Sequence, residues 1–194
     1  MKKRVCNIYI FRHGQTFYNR DKIFTGWKDS KLTPLGIKQA KKIARMLKNK
    51  RIDAAVHTGH SRSKDTLKEV LKFHPECHII FEDKRMMERS YGKLEGMSHK
   101  SFIKKYGVEK FNKIHRGYDT VPPGGESIKM VEKRVLSFIK DLLLFIKKNK
   151  ANVAISASGN SMRPFRRYFE HLSIKEMMEL ENPWDNYFKY SVKC

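Results

Sequence analysis

The segment Arg12-His13-Gly14-Gln15-Thr16 combines residue types that can carry out phosphoryl transfer. A neutral imidazole such as that of His13 can attack phosphorus. The guanidinium of Arg12 can hold two non-bridging oxygens of a phosphoryl group at once, and Gly14 lets the backbone approach the anion closely. The plain alternative is a structural histidine beside a strand end. The complete pentapeptide, placed directly after a strand-like run, favours an anion site with a nucleophile in it.

The elements that must position these residues alternate along the chain. Runs rich in β-branched or aromatic residues predict strands at Asn7 to Phe11, Ala54 to His57, His78 to Phe81, Asn152 to Ser156 and Tyr187 to Val192. Helical patterns lie at Pro34 to Asn49 after an N-cap at Thr33, Ser63 to Phe73, a pair around Lys100 to His115, Ser127 to Lys148 and Ser161 to His171. The alternation predicts a three-layer α/β fold, with a mostly parallel sheet and helices on both faces. Ligands then bind beyond the carboxyl ends of the strands, where His13 lies.

Length and composition indicate a packed protein with one domain over residues 1–194. A hydrophobic content of 40% exceeds what a disordered chain of this charge carries. No apolar run is long enough to cross a bilayer. The basic start Met1–Arg4 precedes a short strand-like run with no cleavage site, so we expect no signal peptide and a cytoplasmic location.

The three cysteines, Cys6, Cys77 and Cys194, are odd in number and far apart, and none forms a Cys-x-x-Cys pair. This pattern argues against a disulfide framework and against a zinc site, and it favours a reducing compartment. His57 and His60 have no nearby carboxylate that would complete a metal site, so we expect no metal.

The net charge of +22 favours some anionic partner. Because the basic residues are spread over the whole chain without a stripe interleaved with aromatics, a solvated lysine-rich surface explains them better than dedicated nucleic-acid binding. Nonspecific binding of polyanions remains an expectation.

The Arg12-His13-Gly14 motif resembles the signature of the histidine phosphatase superfamily, and the resemblance extends almost end to end. Phe24–Trp27 and the segment from Leu32 to Ala40 look like the corresponding segment of cofactor-dependent phosphoglycerate mutases. The resemblance implies that His13 is the nucleophile, that Thr25 and Gly26 contact substrate, and that the phosphoryl group is held by Arg12, Arg62 and Asn19. The stretch around Arg62 is looser, since His60 replaces the usual leucine.

The segment Met87 to Gly96 looks like the mutase segment that supplies the proton donor. The resemblance implies that Glu88 is the general acid and base, which the chemistry requires because an alkoxide leaving group must be protonated. It also implies that Arg89 and Tyr91 hold substrate. Alone, a Glu-Arg pair is more often a surface ion pair.

The most consequential departure from the family pattern is at Ser158. The segment Ser158-Gly159-Asn160 resembles the family's second-histidine motif, in which a histidine normally stands at the first position. That imidazole donates a hydrogen bond to the phosphoryl group, and by analogy with an oxyanion donor its loss costs roughly 10²- to 10³-fold in rate.

Other departures concern substrate choice. His99 takes the position of an expected lysine with Lys100 beside it, and His115-Arg116 replaces an arginine pair. Pro123 to Ser127 is more like the phosphatase branches of the family, and its short loop favours access of water to a phosphohistidine.

The sequence therefore predicts a phosphoglycerate mutase-like enzyme that acts on small phosphorylated metabolites as a weak mutase or a phosphatase. No cofactor is expected to be bound permanently; 2,3-bisphosphoglycerate would be the phosphoryl donor of a mutase. Ser158 keeps a second hypothesis open, a catalytically impaired anion-binding regulatory protein, and the charge alone supports a third, a basic nucleic-acid-binding module. The expected partners are a small phosphorylated substrate and, as an open alternative, further copies of the same chain in a homo-oligomer.

Overall fold

The strands of the computed structural model, which describes residues 4–194, are β1 (Val5–Arg12), β2 (Ala54–His57), β3 (Ile79–Glu82), β4 (Val153–Ala157) and β5 (Tyr187–Lys193). They form one sheet in the order β3-β2-β4-β1-β5. All neighbouring strands pair in parallel except β5, which pairs antiparallel with β1 at the edge. Each strand predicted from the sequence is present with its bounds shifted by at most two residues.

The helices are α1 (Phe17–Arg20), α2 (Pro34–Leu47), α3 (Ser61–Leu71), α4 (His99–Tyr106), α5 (Val108–Arg116), α6 (Ile128–Asn149), α7 (Gly159–Glu170) and α8 (Ile174–Glu179). Two 3₁₀ turns lie at Lys84–Met86 and Gly92–Leu94. No helix among residues 4–194 is both long and apolar enough to cross a membrane.

Helices cover both faces of the sheet because the strand side chains alternate. Ile8 and Ile10 of β1 pack into one core with residues of α6 and α7, whereas Tyr9 and Phe11 pack into a second core with residues of α2 and α3. This arrangement confirms the predicted three-layer α/β fold.

Local signals set the helix starts. Thr33 caps α2, with its side chain accepting a hydrogen bond from the backbone of Gly36, and Pro34 occupies the first turn. Ser127 caps α6 in the same way. The sequence predicts neither α1 nor α8, because helices of four and six residues are too short for a periodic pattern to appear.

A disulfide joins Cys6 and Cys194, so the prediction that no disulfide forms was wrong. Antiparallel pairing of β5 with β1 places Cys6 opposite Val192, two residues before Cys194. The Cα atoms of Cys6 and Cys194 are therefore 6.0 Å apart, although 188 residues separate them in sequence. Spacing along the chain could not show this, because the contact depends on the topology of the sheet. Cys77 remains free and buried, and burial raises the pKa of its thiol to about 11.

Breaking the Cys6–Cys194 bond should lower the free energy of unfolding by about 2–4 kcal/mol, because the cross-link closes a long loop in the unfolded chain. Urea titrations with and without a thiol reductant measure the difference. A double Cys6→Ser, Cys194→Ser variant is the control, and its stability should not respond to the reductant. The unreduced, unfolded protein should take up one alkyl group, at Cys77; three alkyl groups would contradict the disulfide.

Candidate active site

The pairing of β1 with β4 places two motifs side by side at the carboxyl edge of the sheet. Arg12, the last residue of β1, is in register with Ala157, the last residue of β4, and the backbone N–H of His13 donates to the carbonyl of Ala157 at 3.0 Å. Arg12-His13-Gly14 therefore lies next to Ser158-Gly159-Asn160. This edge is where open parallel sheets bind ligands.

His13 is buried, and its two ring nitrogens have different environments. Nδ1 lies 2.8 Å from the carbonyl oxygen of Gly14, which can only accept, so Nδ1 carries the proton and Nε2 keeps a lone pair. Burial lowers the pKa of His13 well below its ordinary value, and the charges of Arg62 and Arg12 lower it further. The imidazole is therefore held neutral, the form that a nucleophile requires.

Gly14 is fixed by close contact with α2. A Cβ atom at Gly14 would lie 2.3 Å from the carbonyl oxygen of Gly36, a distance that no side chain tolerates. The backbone N–H of Gly14 donates to Oγ1 of Thr66 on α3. Two helices thus hold the loop that carries His13.

Two arginines flank His13 in one pocket and are only partly satisfied by the protein. The Arg12 guanidinium donates to the carbonyl of Asn182 at 3.2 Å and lies 4.4 Å from the Trp184 ring centroid. Arg62 donates to the carbonyls of Gly26 and Lys28. Within the described chain, the Nε atoms of both arginines are buried without a hydrogen-bond partner. Two guanidinium groups, each with a buried and unsatisfied Nε–H donor, make this a site for an anion.

The remaining residues that could hold an anion come from α1 and from the loop that follows it. Thr25, Gly26 and Asn19 line the same pocket as His13, Arg12 and Arg62, which the sequence had grouped together. Oδ1 of Asn19 accepts a hydrogen bond from the backbone of Thr16, so the amide NH₂ group is what this side chain can offer a ligand.

Glu88 lines the pocket with a carboxylate held at both oxygens. Oε1 accepts a hydrogen bond from the backbone N–H of Arg89 at 2.8 Å, and Oε2 accepts one from Asn160 at 3.4 Å. Arg134 of α6 fixes the backbone of this segment by donating to the carbonyls of Met87 and Glu88. Arg134 is itself oriented by an ion pair with Glu126 at 3.0 Å, so α6 sets the position of the carboxylate.

The structure does not bring two of the expected substrate contacts, Arg89 and Lys100, to the pocket. The guanidinium of Arg89 is buried and donates to the backbone carbonyls of Glu126, Ile114 and Thr120, so its donors hold loops together instead. Lys100 is exposed on α4. Its neighbour His99 lines the pocket, as does Tyr91, which the sequence predicted.

An adjoining pocket shares Arg12, Glu88, His115 and Asn160 with the first. Its further lining residues include Arg116 and Gly159, as expected, together with Arg163, Glu181 and Asn182, to which the sequence assigned no role. Arg163 is one turn beyond Gly159 on α7, a spacing that could have revealed it. Asn182 lies in a segment with no motif, and no sequence signal marked it.

Ser158 is fully buried, and its Oγ has no hydrogen-bond partner in the described part of the chain. Ser158 precedes α7 as its N-cap residue, and Ser161 fixes the turn: its hydroxyl donates to the carbonyl of Met86 at 2.7 Å and accepts from the backbone N–H of Ser158 at 3.3 Å. Ser158 is not among the residues that line either pocket. A direct contact between its hydroxyl and a ligand therefore stays a prediction.

Residues 8–189 match the family described as the histidine phosphatase superfamily (branch 1). A 2,3-bisphosphoglycerate-dependent phosphoglycerate mutase of Parvibaculum lavamentivorans is 35% identical over 177 residues, which cover 89% of this chain and 84% of that protein.

Two solved structures share the fold. A putative alpha-ribazole-5'-P phosphatase from Escherichia coli has a TM-score of 0.84 at 18% identity, covering 97% of this chain and 91% of that one. A mycobacterial glucosyl-3-phosphoglycerate phosphatase has a TM-score of 0.82 at 21% identity, with coverage of 97% and 91%. At these identities the likeness supports the fold alone.

The buried position of His13 leads to a direct test by NMR. Because its pKa is lowered, the imidazole should stay neutral as the pH falls through the ordinary histidine value of about 6.5 and should take up a proton only well below it. Titration of the ¹⁵N-labelled imidazole signals, with the His13 signal assigned by its loss in His13→Ala, measures the pH at which His13 takes up a proton. A short histidine-containing peptide titrated under the same conditions provides the reference. A midpoint for His13 at or above 6.5 would contradict the described environment.

Proposed function

The chain belongs to branch 1 of the histidine phosphatase superfamily, and we propose that it transfers the phosphoryl group of a small phosphorylated metabolite to His13 and then to water. The observation that carries the proposal is that one pocket contains a neutral His13 together with Arg12 and Arg62, whose buried Nε–H groups have no acceptor among residues 4–194. A nucleophile without charge beside two cations suits attack on a phosphoryl dianion.

In the first proposed step, Nε2 of His13 forms a bond to phosphorus while the bond from phosphorus to the substrate oxygen breaks. Arg12, Arg62 and the amide of Asn19 hold the non-bridging oxygens. The leaving oxygen takes a proton from the carboxyl group of Glu88, so the alcohol departs neutral. No charged leaving group has to escape from a buried pocket.

In the second proposed step, water attacks the phosphohistidine. Glu88, now a carboxylate, accepts a proton from the water as its oxygen bonds to phosphorus and the bond to Nε2 breaks. Inorganic phosphate leaves, and His13 and Glu88 return to their starting protonation states. One carboxyl group thus serves both steps.

A mutase is the second candidate, and the similarity to the Parvibaculum enzyme favours it. In that case the phosphohistidine is retained and returned to a phosphoglycerate, and 2,3-bisphosphoglycerate supplies the initial phosphoryl group. The loss of the second histidine at Ser158 and the short loop Pro123–Ser127 favour hydrolysis over this outcome.

We also propose a cytoplasmic location, where phosphorylated metabolites are abundant. The Cys6–Cys194 disulfide is unusual for that compartment. Alkylation of the cysteines directly in cell lysate, counted as described above, tests whether the disulfide forms in the cell and so tests the proposed location.

Turnover of phosphorylated small molecules, measured with and without 2,3-bisphosphoglycerate, tests the proposed function. Release of inorganic phosphate should occur without the bisphosphate and should fall at least 10³-fold in His13→Ala, which removes the nucleophile. Glu88→Gln should slow substrates with poor leaving groups more than p-nitrophenyl phosphate, whose phenolate needs no proton. Interconversion of phosphoglycerates that depends on the bisphosphate would favour the mutase. Activity equal to that of His13→Ala on every compound would favour the binding-protein hypothesis.

Ser158→His should raise turnover by up to about 10²-fold, because the new imidazole restores a donor to the phosphoryl group in the transition state. The gain should appear in kcat more than in KM, since such a bond is strongest in the transition state. Ser158→Ala is the matched control, which removes the hydroxyl without adding an imidazole. High wild-type activity that the histidine lowers would show that another group already fills this role.

A further inference from the structure

Arg12 contacts the segment between α8 and β5, residues 180–186, which we name the α8–β5 connection. Nη1 of Arg12 donates to the backbone carbonyl of Asn182 at 3.2 Å, across 170 residues of sequence. The guanidinium carbon of Arg12 lies 4.4 Å from the ring centroid of Trp184, which is within the distance of a cation–π contact. The sheet edge that carries His13 is thus in direct contact with a segment to which the sequence assigned no role.

Asn182 is itself fixed to α7 at two points. It is buried, and its side-chain NH₂ group donates to the carbonyl of Gly159, the first residue of α7, at 3.0 Å. Its side-chain oxygen accepts a hydrogen bond from Arg166 at 3.1 Å, and Arg166 forms an ion pair with Glu170 at 2.9 Å. The backbone carbonyl that accepts from Arg12 therefore has a defined position relative to α7.

The charges around Arg12 do not account for its position. Burial lowers the pKa of Arg12, the carboxylates of Glu88 and Glu181 raise it, and the cations Arg163 and Arg62 lower it. The two carboxylates and the two cations act in opposite directions, and the pKa stays lowered because burial is the largest effect. Contacts with uncharged groups must therefore help to hold the charged guanidinium.

The first turn of α7 lies against the guanidinium of Arg12. A Cβ atom at Gly159 would be 3.2 Å from the guanidinium carbon, so the absence of a side chain there allows the close approach. The N-terminal end of a helix disfavours a cation, because its backbone dipoles present their positive ends there. The carbonyl oxygen of Asn182 and the negative face of the Trp184 ring oppose this effect, since both attract positive charge.

Trp184 contributes its ring face, because its indole N–H is buried without an acceptor in the described part of the chain. A guanidinium that stacks on an aromatic ring keeps the N–H donors at its edge free for an anion. The Nε–H of Arg12 is such a donor, since it has no acceptor among residues 4–194. The contact with Trp184 can thus restrain Arg12 without using up the group that a phosphoryl oxygen needs.

Resting on the proposed function, we infer that Asn182 and Trp184 are positioning residues, which hold the guanidinium of Arg12 so that its free Nε–H meets the phosphoryl group. Both act through Arg12. An arginine side chain has many rotamers, and a donor that is already oriented stabilises a transition state better than a mobile one. Loss of either contact therefore lowers both phosphate affinity and turnover.

Two substitutions of Trp184 test the role of the ring face. Trp184→Phe keeps a ring with a weaker negative face, and Trp184→Leu keeps an apolar side chain without one. With p-nitrophenyl phosphate, kcat/KM should fall about 3-fold in Trp184→Phe and about 10-fold in Trp184→Leu, the range expected of a cation–π contact. Equal losses in the two variants, or no loss in either, would contradict a role for the ring face.

Double-mutant cycles with Arg12→Ala show whether the effect passes through Arg12. Trp184→Leu and Asn182→Ala should each lower kcat/KM by about 10-fold in the wild type but by less than about 2-fold in Arg12→Ala, because the guanidinium that they orient is then absent. A merely structural role would give equal losses in both backgrounds, and that result would overturn the inference. Urea titration of each variant shows that it is folded.

Calorimetry with inorganic phosphate needs no turnover and separates the inference from the proposed function. Trp184→Leu should weaken phosphate binding by about 10-fold in the wild type and leave it unchanged in Arg12→Ala. If no ester is hydrolysed but this pattern of affinities holds, the proposed function fails and the inference stands. If esters are hydrolysed through His13 but the losses are equal in both backgrounds, only the inference fails. A wild-type protein that neither binds phosphate nor hydrolyses an ester would overturn both.

Discussion

The register between β1 and β4 is the constraint on which the site depends. It sets Arg12 opposite Ala157 and ties the backbone of His13 to β4, so that two motifs almost 150 residues apart in sequence begin at the same point of the sheet edge. Because side chains alternate along a strand, a slip of one residue would turn Ile8 and Ile10 out of one core and into the other. Because β1 is buried on both faces of the sheet, the packing that stabilises the fold also fixes the position of His13.

Around this edge the protein buries positive charge that it does not fully neutralise. Arg62 has Asp29 at 3.5 Å and two backbone carbonyls, and Arg12 has one carbonyl and the face of Trp184, but each keeps an unpartnered Nε within the described chain. A buried N–H donor without an acceptor is unfavourable, and a bound anion would satisfy these donors. The same charges depress the pKa of His13, so one arrangement both attracts the phosphoryl group and keeps the nucleophile neutral.

Much of this could be predicted from the sequence because the signals are local. Short β-branched runs predicted the strands, and Thr33-Pro34 marked the start of α2. The Arg-His-Gly and Met-Glu-Arg segments pointed to His13 and Glu88, which line one pocket. The features that escaped prediction arise from contacts between distant segments. The Cys6–Cys194 bond needs the pairing of β5 with β1, and the donors of Arg89 are taken up by carbonyls of α5 and of the loop that follows it. His99 and His115 depart from the family pattern, but only the packing of α4 and α5 shows that both rings lie against Phe24 and Phe111.

Formation of a covalent bond between His13 and phosphorus is tested by trapping the phosphohistidine. After rapid mixing with a phosphorylated substrate and quenching in alkali, intact-mass and peptide measurements should show one added phosphoryl group on the peptide that contains His13. The label should survive base and be lost in acid, as expected of a phosphoramidate, and it should be absent from His13→Ala. A phosphoryl group that persists in His13→Ala, or turnover in that variant at the wild-type rate, would contradict the account.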